Sequence, residues 1–363
     1  MNTEVNANHA AVRRDHADSY LLTSLVAFGV TVVAVRLFLQ LTGFPQIGGS
    51  VLHIAHALWG ALLLFIAVLL PLLVANRWAI QVGALLSGVG IGLFIDEVGK
   101  FITQKNDYFF PPALPLIYGF FLLTVFLYMY FRKPRREDPR KAMYHALEGL
   151  QDLIDGDLDP VEKARIEAQL VIASHAKERE IRSLAGTLGD YLQQHDGYLV
   201  EAKPGFWRRA AQRVDQLGRR LGRRAHRTII SIMLILWSLS GLLSIAAVAV
   251  IAFGVDLQDE TFRATLSSSE LTIVDSPLWL SIALFLELLV SVFAIFATFS
   301  WLKRNEERGL KVAIFTMVIS LVVLQPLLFY MQQFAALSGT LTQSIYLLIL
   351  LSYRRWYLEP ESL

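Results

Sequence analysis

The sequence predicts an all-α polytopic membrane protein that crosses the bilayer eight times, and three observations carry that reading. First, the 363 residues are 55% hydrophobic and only 18% charged, against roughly 25% charged in a soluble domain. Second, the apolar residues are gathered into long runs. Lipid offers no partner to an open backbone N–H or C=O, so such runs cross as helices. Third, the basic residues between the runs fit one topology. A net charge of +2 gives no global nucleic-acid signal. With no cysteine, disulfides, thiolate metal sites and cysteine nucleophiles are excluded.

Residues 1–20 are polar and read as a cytoplasmic tail. The apolar run from Leu21 is too long for the core of a signal peptide, so it reads as an uncleaved first span. The expected spans are 21–43, 51–75, 79–99, 112–131, 228–254, 278–302, 311–331 and 334–353, each near the ~20 residues a bilayer requires. The last two also read as one interrupted segment. Spans one to four make a first transmembrane domain, 21–131, and the rest a second, 228–353.

Between the domains lies an insert, 132–227, with 20 Lys+Arg and 15 Asp+Glu. It belongs in the cytoplasm, as do Lys303, Arg304, Arg308 and Lys311, the tail 354–363 with Arg354 and Arg355, and Arg13 and Arg14. The loop 255–277, with five acids and one Arg263, belongs outside. This is the topology of a bacterial inner-membrane protein with both termini inside. No sequence repeat relates the two halves.

The insert reads as helical. Met143, Leu147, Leu150 and Ile154 recur at helical spacing, as do Ile181, Leu184, Leu188 and Leu192. Asp159-Pro160 is a helix start. The acidic run 152–159 lacks the spacing of a calcium loop and reads as a turn. Residues 203–227, with nine Lys+Arg and one Asp, carry an apolar stripe of Trp207, Ala211, Val214, Leu217 and Leu221. This segment suits anionic inner-leaflet lipids, or serves only as a positive-inside signal. Residues 132–202 are a candidate surface for a cytosolic protein partner, and no nucleic-acid groove is visible.

The stretch GVGIGLFIDEVGKFIT, 88–103, ends an apolar run in three charges. Ala84, Gly88, Gly92, Asp96 and Lys100 recur every four residues and share one helix face. Small residues let a neighbouring helix come close, so Asp96 is expected to point into the bundle; the same stripe also suits packing between protomers of a homo-oligomer. Span two carries His53, His56 and Gly60, joined to span three by the short turn Asn76-Arg77-Trp78. Counting outward from that turn sets Gly60 near residue 94 and His56 near residue 98. Arg36 lies about 9 Å below the end of span one, at the level of residue 57. Arg36, His53, His56, Asp96 and Glu97 thus converge at one depth near the outer surface. Lys100 and the loop 104–115, with Tyr108, Phe109 and Phe110, are expected to cover them.

These residues carry a family resemblance. HIAHALWGALLL (53–64) and GIGLFIDEVGKFIT followed by NDYFF (90–110) resemble a group of uncharacterised bacterial integral membrane proteins. The resemblance covers the first four spans. It implies a multi-span bacterial membrane protein and brings no activity or ligand.

Three chemistries fit the convergence. Two imidazoles and a carboxylate (His53, His56, Asp96) suit Zn²⁺ or Fe²⁺, with Glu97 as general base or fourth ligand and Arg36 as an anion clamp, a hydrolase-like site. Without a metal, Arg36 pairs with Asp96 or Glu97 and the histidines line a proton or ion path of a transporter or channel. Alternatively the charges merely finish span three in solvent. A third functional class is a membrane scaffold or sensor acting through the insert. In the second half, Glu287 is the one acid of span six, and Gln325-Pro326 breaks the ladder of span seven and frees a carbonyl. A Glu287–Gln325 hydrogen bond is a structural reading and a proton relay the sharper one. Ser238, Ser240 and Gln343 are further polar groups in the apolar spans.

Overall fold

A computed structural model of the chain describes residues 11–43, 55–105, 107, 110–133, 138–194, 200, 206–252, 277–303, 305–333 and 335–358. His53, Tyr108, Phe109, Arg304 and the acidic loop 255–276 lie outside the described residues. Among the described residues there is no strand, and eight helices are long and apolar enough to cross a membrane. The protein is an all-α multi-pass membrane protein.

The helices are α1 (Ala17–Thr42), α2 (His56–Leu73), α3 (Arg77–Asp96), the short α4 (Val98–Ile102), α5 (Ala113–Arg132), α6 (Pro139–Ile154), α7 (Pro160–Ala173), α8 (Arg179–Gln194), α9 (Phe206–Ala252), α10 (Pro277–Leu302), α11 (Glu306–Ile319), α12 (Gln325–Gln332) and α13 (Ala335–Tyr353). A π-helical segment, Ser320–Leu324, joins α11 to α12. Spans seven and eight are separate helices, parted at Gln333, whose φ is +48°. α9 unites the basic stretch with span five, interrupted at Gly222 by φ +68° and ψ 160°, a conformation that glycine adopts without steric cost. The chain packs as two compact units, Met1–Glu97 with Leu123–Arg209 and Val98–Leu122 with Ala210–Leu363.

In the first unit α3 is the central rod, and it meets its neighbours through two different rows of glycine. Gly88 lies against the backbone of Ser24, and Gly92 against Thr31 of α1, where an added Cβ would stand 2.8 Å from the threonine Cβ. Gly83 and Gly90 face α2. A Cβ on Gly60 would stand 2.6 Å from the Phe94 nitrogen and 2.7 Å from the Gly90 carbonyl oxygen. The expected single stripe is therefore two: 88–92–96 serves α1, and 83–90 serves α2. Gly60 meets residues 90 and 94, the depth that counting along the helices assigned. Backbones this close leave no side chain between them to yield, and dispersion contacts replace it.

The insert helices α6 to α8 enclose a small core of Ala142, Met143, Ala146, Leu158, Ile166, Leu170, Ala173, Ala185 and Leu192. Of the row expected at helical spacing on α6, Met143 is buried and Leu150 packs against this core. Leu147 is 44% exposed and Ile154 84% exposed. The buried face of α6 is Ala142, Met143 and Ala146, and Gly149 lies against Ile166. Small residues rather than leucines let α7 approach. α7 starts as Asp159-Pro160 implies: the Asp159 carboxylate accepts from the Val161 and Glu162 amides at 2.7 and 2.8 Å, and Glu162 accepts in return from the Asp159 amide.

The second unit is built on Ile230, Met233, Leu234, Ala297, Trp301, Leu310, Ala313, Met317, Leu350 and Tyr353. Several of its polar groups pair within the apolar surroundings. Ser238 and Thr298 hydroxyls lie 2.9 Å apart, and the Trp301 indole N–H donates to Ser231. The break expected at Pro326 takes a definite form. The Gln325 amide reaches back to the Ser320 carbonyl, a π step. The next amide in that register would serve the Leu321 carbonyl, but Pro326 has none. The hydroxyl of Tyr118, on α5, donates to that carbonyl instead at 2.9 Å.

Tyr118→Phe should therefore leave a buried acceptor without a donor and cost about 1–3 kcal/mol, read as a lower unfolding midpoint in detergent. Gly88→Val should cost about 1–3 kcal/mol by overpacking α1 against α3. Ala84→Val, on the same helix, is the reference for a general loss of helix propensity.

Candidate functional site

The far end of the first unit, opposite the insert, gathers Arg36, His56, Asp96 and Glu97. Each arrives by a local rule. Asp96 is the last residue of α3 and extends the Gly88–Gly92 row, so it faces α1. Arg36 is one turn and a half from the end of α1 and only 3% exposed. A guanidinium buried among apolar helices demands an anion. Its Nε forms a close ion pair with Asp96 Oδ1, and its Nη2 donates to the Asp96 carbonyl at 2.9 Å. The fork thus holds both the side chain and the final backbone carbonyl of α3, a group that helix geometry leaves unserved.

His56 opens α2 and sits between the two carboxylates. Its Nε2 is 3.1 Å from Asp96 Oδ2, and its Nδ1 is 3.4 Å from Glu97 Oε1. Asp96 and Glu97 are 0% and 1% exposed, whereas the imidazole keeps 23% of its surface open. Glu97 has a second task. α2 starts at Ala55 without a side-chain cap of its own. The Glu97 carboxylate accepts from the Ala57 amide at 3.1 Å, capping α2 from the neighbouring helix, where the helix dipole also favours an anion. The missing Ser, Thr, Asn or Asp before His56 was the sequence signal for that role.

The arrangement brings together four of the five residues expected to converge; the fifth, His53, lies outside the described residues. Lys100 belongs to the second unit. Charges that merely finish a helix in solvent do not describe Asp96 and Glu97, which are buried and bonded. Among the described residues no set of three or more His, Asp and Glu side chains is arranged to hold a metal ion. Both imidazole nitrogens of His56 already face carboxylates, and Asp96 already serves Arg36.

The cluster joins one guanidinium, one imidazole and two carboxylates, and the imidazole has access to solvent that its buried partners lack.

The second expected polar group divides differently. Gln325 is 1% exposed, and its side-chain carbonyl accepts from Thr340 at 2.9 Å. Gln343 accepts from Ser320 at 2.9 Å. Glu287 is half-buried on α10. The amides and hydroxyls tie the π segment and α12 to α13.

Sequence reading missed the junction at the other end of the unit. Arg77, at the start of α3, forms a close ion pair with Asp152 of α6, and Asn76 donates to both Asp155 carboxylate oxygens at 3.0 and 2.9 Å. Just before α1, Asp15 accepts from Arg165 at 2.9 Å, and its amide donates to Glu148. The signal was present as charge complementarity between the turn Asn76-Arg77 and the acidic run 152–159. Burial pushes the Asp152 carboxyl above the usual carboxylate range, and the pull of Arg77 only partly offsets it. A raised folded-state value means that this group favours folding less as pH rises through that window.

Comparison with protein-family models, curated proteins and solved structures gives no match to this chain.

Arg36→Ala should cost about 3–5 kcal/mol, because it leaves a buried carboxylate unpaired. The double variant Arg36→Met/Asp96→Leu should cost much less than the sum of the single changes. Thermal or chemical unfolding in detergent reads both.

Proposed function

We propose that the protein is a proton-responsive membrane protein of the bacterial inner membrane, with both termini and the insert in the cytoplasm. His56 takes up a proton from the outer side, and the Arg36–Asp96–Glu97 network registers its arrival. The observation that carries this reading is the imidazole held between two buried carboxylates, one of them already neutralised by arginine. In such a setting a proton on the partly open imidazole adds a positive charge between the two carboxylates.

The functional class that follows is a proton-coupled transporter or channel. With His56 neutral, the two carboxylates share one fewer positive partner. With His56 charged, all four groups are mutually satisfied and the far ends of α1, α2 and α3 are drawn together. Intramembrane ionisable groups with this kind of alternation are the usual hardware of proton coupling. Arg36 positions Asp96, and Glu97 couples the imidazole to the start of α2.

Reconstitution in proteoliposomes under an imposed pH gradient tests the reading. Wild type should move protons, measured with an entrapped pH dye. Asp96→Asn and His56→Gln should reduce the flux by about tenfold or more, and a Gln343→Leu variant should not. Equal flux in wild type and Asp96→Asn would overturn it. Elemental analysis of the purified protein covers the metal chemistry: about one Zn²⁺ or Fe²⁺ per chain, lost in His53→Ala/His56→Ala, would replace the proton with a metal as the occupant.

A further inference from the structure

We infer that the insert α6–α8 is the read-out domain of the far-end cluster, reached through α1 and α3 acting as one paired strut. This rests on the proton-responsive reading above for its natural trigger, but not for its mechanics. The two helices are tied to each other at one end and along their middle, and both are tied to the insert at the other end. At one end Arg36 of α1 grips both the side chain and the terminal carbonyl of Asp96 on α3. In the middle, Gly88 and Gly92 bring α3 directly onto Ser24 and Thr31, and the hydroxyls of Ser24 and Ser87 meet at 3.1 Å. At the other end both helices hold the insert. α3 does so through Arg77–Asp152 and Asn76–Asp155. The entry to α1 does so through Asp15–Arg165, the Arg165–His16 contact at 3.0 Å and the Asp15 amide on Glu148.

α3 has 20 residues with no proline, which makes a continuous rod of about 30 Å. Its contacts with α1 contain backbone and short side chains, which repack poorly. A displacement of Asp96 is thus passed along the rod and not absorbed by rotamer changes.

The grip on the insert also has the character of a switch. Asp152 and Asp155 stand at the C-terminal end of α6, with Asp157 and Asp159 just beyond. Carboxylates at that pole oppose the helix dipole and repel one another. Arg77 supplies a cation to this turn from outside the insert. If Arg77 withdraws, the α6–α7 turn loses a counter-charge and its acids favour separation. Withdrawal of Arg77 would thus favour a second arrangement of the turn, and the position of α3 would bias the two, which is what energetic coupling between two sites requires. Among the described residues Asp96 and Glu97 face His56, and Arg36 grips Asp96, so a charge change there acts first on the α3 end of the strut.

Hydrogen–deuterium exchange on the full chain in lipid nanodiscs, at one fixed pH, tests this. Asp96→Asn removes the charge at the far end whatever its natural trigger. It should speed exchange in 148–165 by about tenfold while leaving 179–192 of α8 within twofold. His56→Gln, which leaves the Arg36–Asp96 pair in place, should change the same segment. In an Arg77→Gln background 148–165 should already exchange fast and no longer respond to Asp96→Asn. Unchanged exchange at 148–165 in both cluster variants overturns the inference, and so does a uniform change over all helices, which would mark plain destabilisation. Neither result depends on proton flux, so failure of the read-out and failure of the proton reading are told apart.

Discussion

The burial of one arginine governs the first unit. A guanidinium at 3% exposure on an apolar helix has no stable state without a matched anion, since the cost of stripping its water far exceeds what hydrophobic contact returns. That demand fixes Asp96 in rotation and depth, and with it the whole of α3. The glycines at 88 and 92 are the geometric condition for the pair to form, because a larger residue at either position would hold α3 away from α1. His56 and Glu97 then fall into place around Asp96, and α2 gains its cap from Glu97. Ion pair, close helix approach and capping are one structure, and each member makes the next affordable only in the presence of the others.

The two units solve the polar problem in different ways. In the first, ionised groups are buried and paired at one end, and a second set of ion pairs ties the opposite end to the insert. In the second, Ser238, Thr298, Gln325, Thr340, Ser320 and Gln343 satisfy one another as neutral donors and acceptors. Neutral pairs bury cheaply and do not respond to pH over the physiological range. The second unit carries charges as well, outside this neutral set: Glu306 accepts from Tyr353 and pairs with Arg223 and Arg227.

Much of this was legible beforehand, and the reasons are specific. Long apolar runs report spans because the backbone has no other solution in lipid. Counting from the Asn76–Trp78 turn set Gly60 and His56 near the level of Asp96, and counting back along span one did the same for Arg36, because α-helices rise by a constant amount. What could not be read was rotation. The row 84–88–92–96 was visible, but which helix it faced was not, and Gly60 proved to meet the other row. In the insert, Leu147 and Ile154 share the helical spacing of Met143 and Leu150 but stay exposed, while Ala142 and Ala146 are buried and Gly149 meets Ile166 of α7, since close approach selects small residues that carry little hydrophobic signal. The capping role of Glu97 and the Arg77–Asp152 pair join segments far apart in sequence, where an uncapped helix start and a complementary charge mark a need for a partner without naming it.

The π segment Ser320–Leu324 has a further effect. One extra residue in a turn rotates everything after it by about 100° relative to an uninterrupted helix. α11 and α12 therefore aim different sides of the same span at their surroundings. The first part offers Ala313 and Met317 to the core of the unit, and the second offers Gln325 to Thr340. Seen this way, Ser320–Leu324 works as a phase shifter. Removing one residue from it would leave composition and hydropathy almost untouched while swinging a buried amide out toward hydrocarbon, so evolution can vary the letters in that turn more freely than it can vary their number.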